Sequence, residues 1–205
     1  VLLMFTVDNK IDTVMLGSLK GNEAVGIYAL AYRVYDVLIL GAAYLMSSLL
    51  PVISQYAHKD DWQNKFKMIY QKTFDVLLMM GFLILVFVFL GAPFIIRFLT
   101  MSRFQEFTAA ISVLKILSLA IFVSYFNHLT GYTLISLKKQ NSYFFIAFFA
   151  LVFNVILNLM IIPKFSYRGA AGVTVLTEMT VLIITSIFIY RVIGITPSLF
   201  GFPKT

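Results

Sequence analysis

Asp12, Asn154, Asn158 and Thr174 stand inside stretches that are otherwise apolar. Their types share one chemistry: a carboxylate, two amide oxygens and a hydroxyl are hard oxygen donors, the kind that suits a small cation. Glu178 follows Thr174 by one helical turn on the same face, and its carboxyl can instead carry a proton. Asn154 is related to Asn158 by the same spacing. Asp12 lies five residues before Gly17, Asn158 five before Pro163 and Thr174 five after Gly169, so a rise of about 1.5 Å per residue puts all three roughly 7 to 8 Å inside the same boundary. At that depth they can meet in one layer. The competing use of such residues is to tie helices together by hydrogen bonds.

Arg33 and Lys115 form a second constellation, each about two turns into an apolar stretch, where a charge costs roughly 2.5 to 3.5 kcal/mol and so needs a reason. One reason is structural: Asp36, three residues after Arg33, can pair with it, and Lys115 can snorkel outward. Tyr28, Tyr32 and Tyr35 share a helical face and offer hydroxyls and rings, with aromatic packing as the plainer use. Asp8 and Asp12 lie on one face with Lys10 nearly opposite. Asn127 and His128 sit within a span, where a lone His serves more often as a hydrogen-bonding residue than as a proton relay.

The elements that must position these residues follow from composition. The 205 residues are 60% hydrophobic, 16% aromatic and only 12% charged, with mean hydropathy +0.93, whereas soluble domains carry about a quarter charged residues. A membrane-spanning helix needs roughly 20 mostly apolar residues, and six stretches qualify: 1–19, 24–53, 74–99, 109–137, 143–162 and 169–193. Their runs are continuous, not alternating as in a transmembrane barrel. The fold class expected is all-α membrane, a bundle of six transmembrane helices with turns at 17–22, 58–67, 100–107, 138–142 and 163–168. Residues 1–195 read as that bundle, its first helix truncated, and 196–205 as a connecting tail. In the segment after Ser54, Asp60 or Asp61 can cap a short helix carrying Trp62, Phe66 and Ile69, expected to lie on the membrane surface.

If alternate connections share a side, one side holds Lys20, Arg97, Arg103, Lys164 and Arg168, and the other holds Lys59, Lys65, Lys67, Lys72, Lys138, Lys139, Arg191 and Lys204. Eight basic residues against five make the second side cytoplasmic, in a multi-pass protein of the cytoplasmic membrane. The net charge of +7 is scattered over short loops, which fits contact with membrane lipids and not with nucleic acid. The absence of cysteine excludes a disulfide, a thiolate metal site and a cysteine nucleophile. No catalytic constellation or resident metal site emerges, and no loop is large enough to carry the catalytic groups of a membrane enzyme of glycan assembly.

Three segments resemble the second half of polysaccharide flippases of the multidrug/oligosaccharidyl-lipid/polysaccharide exporter superfamily, in the Wzx-like branch. They are Ile11-Asp-Thr-Val-Met-Leu-Gly17 running to Ala24-Val-Gly-Ile-Tyr28; Leu50-Pro-Val-Ile-Ser54; and Asn154 to Asn158 leading into Ile162-Pro-Lys164, Gly169-Ala-Ala171 and Thr177-Glu178. The resemblance implies a protein of two six-helix lobes with a translocation cavity between them, of which this chain is the C-terminal lobe and the N-terminal lobe is a missing partner. It further implies alternating access without bond chemistry, so not an enzyme, and movement of a lipid-linked oligosaccharide across the membrane. No cofactor is implied beyond Na+ or H+ as coupling ion, held in the outer part of this lobe, where Asp12, Asn154, Asn158, Thr174 and Glu178 fall. Arg33 and Lys115 would then face the substrate's pyrophosphate, Arg gripping it bidentately and Lys as a point charge. An exporter of cationic drugs or metabolites in the same superfamily would be expected to place acidic residues there instead.

Overall fold

The computed structural model describes the backbone of residues 2–56, 62–194 and 197–198, and the side chains of residues 11–56, 64–194 and 197–198. Every regular element among them is helical: α1 (Leu2–Lys20), α2 (Asn22–Tyr56), α3 (Trp62–Thr100), a 3₁₀ turn (Met101–Phe107), α4 (Ala110–Ser136) and α5 (Gln140–Ile193). The breaks carry the chemistry that stops helices. α1 ends at Gly21, whose φ of +82° needs a residue without a Cβ. α4 ends through Lys138 in the left-handed region, φ +57°, with Lys139 N–H donating back to the Leu134 carbonyl at 2.8 Å.

Where six separate helices were expected, the described residues form five α-helices, because stretches 143–162 and 169–193 both lie within α5. That element is not straight. Ser166 has φ +51° and ψ −137°, and the chain reverses there into two antiparallel arms, residues 140–165 and 167–193. Asn154 of the first arm meets Thr177 of the second, and Gly169 backs onto Ile161: a Cβ at Gly169 would stand 2.8 Å from Ile161 Cγ2 and 3.2 Å from its carbonyl oxygen. Gly169 is thus the contact that lets the arms close. Gly172 has open space about it and does not share that role.

The segments Asn22–Tyr56, Asn64–Phe107, Ala110–Ser136 and Gln140–Ile193 are each long and apolar enough to cross a membrane. α3 turns Phe87, Leu90, Phe94 and Phe98 outward at 66 to 74% exposure, a face that lipid covers and water does not. α4 is the central helix, packed against α2, α3 and α5, which is why its Ser118, Ser124, Thr130, Thr133 and Ser136 are all buried. The connections gather at two ends. Lys20 Nζ donates to the Pro163 carbonyl at 2.7 Å and Arg168 Nε to Ser112 Oγ at 3.0 Å, so the turn after α1, the start of α4 and the reversal in α5 share one end. At the other end Gln71 clasps Ser198 through both main-chain groups, each at 2.8 Å.

α3 begins twelve residues before the expected span. At 39 residues it is about 58 Å long, nearly twice the ~30 Å hydrocarbon core. Its first turns therefore do not form a separate helix lying on the surface. Phe66 and Tyr70 enter the main core, 1% and 4% exposed, while Lys65, Lys67 and Lys72 stay outside. The proposed caps Asp60 and Asp61 lie outside the described residues, as does most of the 196–205 tail.

Candidate functional site

The four residues placed at one depth by their spacing do meet. Asp12 is buried between α1, α2 and both arms of α5, and its carboxylate accepts three hydrogen bonds. Asn158 Nδ2 donates to Oδ1 at 2.7 Å; Tyr28 Oη donates to Oδ2 at 2.8 Å, and Thr174 Oγ1 to the same oxygen at 3.0 Å. Asn158 Nδ2 spends its second hydrogen on Asn154 Oδ1, 2.8 Å away. Asn154 Nδ2 in turn reaches Thr177 Oγ1 at 3.4 Å.

One atom in this cluster is left over. Asn158 is fully buried, yet its Oδ1 has no hydrogen-bond partner. A buried polar atom of this kind normally finds a partner, because an unpaired one keeps its desolvation cost, about 1 to 3 kcal/mol. A half-turn of the Asn158 amide would exchange Nδ2 for Oδ1 and aim three oxygens at one point: Asp12 Oδ1, Asn154 Oδ1 and Asn158 Oδ1. Thr174 is free to follow, since its single hydroxyl hydrogen can pass to the Ala170 carbonyl at 3.1 Å and leave Oγ1 as a donor atom toward a cation. The residues present fit a monovalent cation of oxygen preference. Among the described residues no group of His, Cys, Asp and Glu has the form of a transition-metal site.

Tyr28 is the member of this shell that sequence reasoning missed. Its signal was present in its register: Tyr28 stands seven residues past Gly21, about 10 Å along α2 from the end that Asp12 is measured from.

Glu178 shares a helix face with Thr174 but not its partners. It forms a second centre about 6 Å further along the arm. Tyr35 Oη donates to Glu178 Oε1 at 2.7 Å. Asn127 Nδ2 donates both to Oε2 and to the Glu178 carbonyl at 2.9 Å. Between the centres run the tilted rings of Tyr28, Tyr32 and Tyr35, with centroids 5.3 and 4.9 Å apart. α2 thus touches both carboxylates with hydroxyls two helical turns apart.

Arg33 and Lys115 are not brought together. Arg33 is exposed along α2 and Lys115 half-buried on α4, where its Nζ lies 5.3 Å from the centroid of Phe89 on α3, a cation–π contact. His128 is bound to its own helix, its Nδ1 2.8 Å from the Ser124 carbonyl. The side chains of Asp8, Asn9 and Lys10 fall outside those described.

The arrangement defines a multi-pass all-α membrane protein with a buried oxygen-donor cluster where its first and last helices meet. The MatE family model matches residues 1–160, and the chain belongs to that family. A probable flippase AglR of Haloferax volcanii is 30% identical over 168 residues, covering 82% of this chain and 35% of that protein. The chain therefore spans about a third of that relative's length. No solved structure matches it. The Wzx-like resemblance carried by residues 11–28, 50–54 and 154–178 agrees with both comparisons.

Proposed function

We propose that the chain is one lobe of a flippase of the cytoplasmic membrane, crossing it six times with the arms of α5 as the fifth and sixth crossings, and that a cation bound at Asp12 drives its conformational cycle. The whole protein would carry a lipid-linked oligosaccharide between leaflets by rocking this lobe against a second one, making and breaking no covalent bond. The observation that supports cation coupling is the buried, unpartnered Asn158 Oδ1 beside the Asp12 carboxylate. It is the atom a hydrogen-bonded helix tie does not need and a cation does. The cation would be held by Asp12, Asn154, Asn158 and Thr174, pulling α1 onto both arms of α5 and so changing how tightly the lobe closes at that end. Membrane lipids and the second lobe are the expected partners.

Arg33 and Lys115, placed apart on α2 and α4, would supply the positive charge that an anionic substrate needs. Arg33 projects from the exposed side of α2, and Lys115 is half-buried on α4 with its Nζ 5.3 Å from the centroid of the Phe89 ring. The test is export of a pyrophosphate-linked oligosaccharide by the intact protein in proteoliposomes under a sodium gradient, a proton gradient or none. Gradient-dependent export that Asp12→Asn uncouples is expected. Export that proceeds equally without any gradient, in parent and variant alike, would refute the coupling role.

A further inference from the structure

We propose that the cleft at the open end of the α5 hairpin binds one anionic glycerophospholipid, its phosphate held between Arg191 and Ser142 and an acyl chain laid along the apolar wall below them. The inference rests on the membrane setting alone and is independent of what the lobe carries.

The cleft follows from how the hairpin is built. At the reversal the arms close on small residues, with Gly169 backed onto Ile161 and Ala170 and Ala171 fully buried. Asn154 still reaches Thr177, about 18 Å along the first arm from Ser166. Roughly 18 Å further on the facing residues are bulky and leave a cleft of about 360 Å³. The first arm lines it with Ser142, Phe145 and Ile146, the second with Ile184, Ile187, Phe188 and Arg191. Steps of three and four put each set on one helix face. The floor is sealed, because Ile146 packs with Tyr143, Ile189 and Leu134 of α4 in a small core of its own. The outer side is open, with Phe145 68% and Ile187 50% exposed.

Polarity runs one way along this cleft. Ser142 and Arg191 stand at its mouth on opposite arms, and Ile184, seven residues before Arg191, lies about 10 Å deeper. A phospholipid has the same order of parts, a charged head and then hydrocarbon. The sign of the charge selects the head. Arg191 is exposed and is the one charged residue among the described residues that line the cleft. Lys138 and Lys139, in the turn just before Ser142, are exposed as well. A guanidinium grips phosphate oxygens in pairs, and the serine hydroxyl adds a donor from the other arm, so the head would bridge the two arms. A zwitterionic lipid brings its own ammonium to these cations, whereas an anionic one brings only attraction. The chain beyond α5 is led elsewhere: Gln71 holds Ser198 against α3, a helix that packs on α2 and α4. An arginine that merely snorkels to the headgroups needs no apolar wall beneath it.

The test is native mass spectrometry of the intact protein taken from vesicles of phosphatidylglycerol and phosphatidylcholine in equal parts with a small share of polyprenyl phosphate, retained lipids being identified by mass. One phosphatidylglycerol should be kept in preference to phosphatidylcholine by about fivefold. Arg191→Gln should bring that ratio near one, and Ile187→Trp, which fills the wall from an exposed position, should lower retention of both lipids. Lys164→Gln removes a cation at the opposite end and should change neither. A ratio that ignores Arg191→Gln, or retention that ignores Ile187→Trp, would overturn the proposal. So would a retained polyprenyl phosphate, in place of phosphatidylglycerol, that is lost with Arg191→Gln, or displacement of the lipid by added inorganic phosphate, which would mark a site for a free anion. If Ile187→Trp does not fold, the ratio in Arg191→Gln decides alone.

Discussion

Replacing Asp12 by asparagine separates a cation site from a helix tie, and its size can be worked from the geometry. The carboxylate receives donors from Asn158, Tyr28 and Thr174. An asparagine at the same place keeps Oδ1 as acceptor for Asn158 Nδ2. Its Nδ2 can donate to the hydroxyl oxygens of Tyr28 and Thr174, because Thr174 can pass its hydrogen to the Ala170 carbonyl. No hydrogen bond need be lost, and three lose only the part that charge contributes, about 0.5 to 1.5 kcal/mol each. Removing a buried charge returns desolvation energy of the opposite sign. In sodium-free medium the variant should therefore lie within about 2 kcal/mol of the parent in stability. Sodium is the contrast. A ligand bound only by the folded state stabilises it by RT ln(1 + [L]/Kd), about 2.7 kcal/mol at one hundred times Kd, and that increment should vanish in Asp12→Asn while surviving in Lys115→Ala. Thermal unfolding of the intact protein in sodium chloride against choline chloride at equal ionic strength measures both terms. A sodium increment retained by Asp12→Asn, or none in the parent, would refute the assignment of the cation to this cluster.

At the reversal of α5, Gly169→Ala should destabilise by about 1 to 3 kcal/mol, since the new methyl meets the Ile161 side chain and carbonyl, whereas Ser166→Gly should raise stability by about 1 kcal/mol by relieving a serine held at φ +51°; chemical denaturation of the two variants checks the pair. Single cysteines at Asn64 and Lys164, both exposed, should react with an impermeant maleimide from the cytoplasmic and outer sides respectively, and labelling from one side for both would contradict the alternation of ends. Arg33→Ala and Lys115→Ala should each lower oligosaccharide export at unchanged protein abundance, with Arg33→Lys restoring less than Lys115→Arg if the Arg33 contact is bidentate; normal export in the double alanine variant would remove both from the transport path.

Depth along the spans was legible because a helix converts residue count into distance at a fixed rate, and turns at Gly17, Pro163 and Gly169 supplied origins. That is why Asp12, Asn158 and Thr174 could be set in one layer before any contact was seen. The same conversion separates Glu178. Spacing of four gives a shared face, but about 6 Å of rise carries it into the next layer, with Tyr35 and Asn127 as partners. Tyr28 and Asn127 were harder, because a hydroxyl or amide within a span has several uses and only its neighbours choose among them. The 62–69 stretch misled for a related reason. Its apolar face was real, but periodicity shows that a face needs cover and not what covers it; Phe66 and Tyr70 are covered by the bundle core. Six runs became five elements because the Pro163–Arg168 break bends the chain through one residue, Ser166, without a loop.

The hydrogen bonds from Asn158 and Thr174 to Asp12 span 146 and 162 residues of sequence, which places the two ends of the bundle in each other's care. α1 leaves the ribosome before any of its partners for this cluster exist, and during synthesis it must enter the bilayer with its carboxylate unanswered or shielded by Tyr28 alone among the residues named. The hairpin of α5 arrives later with Asn154 already joined to Asn158 on its own arm and to Thr177 on the other, since a six-residue stretch about Ser166 aligns both arms. Docking of that piece onto α1 closes a loop of 162 residues at one step. Biogenesis and the proposed ion binding are thereby tied to the same contact, and a cation held there would mark a bundle whose assembly is complete.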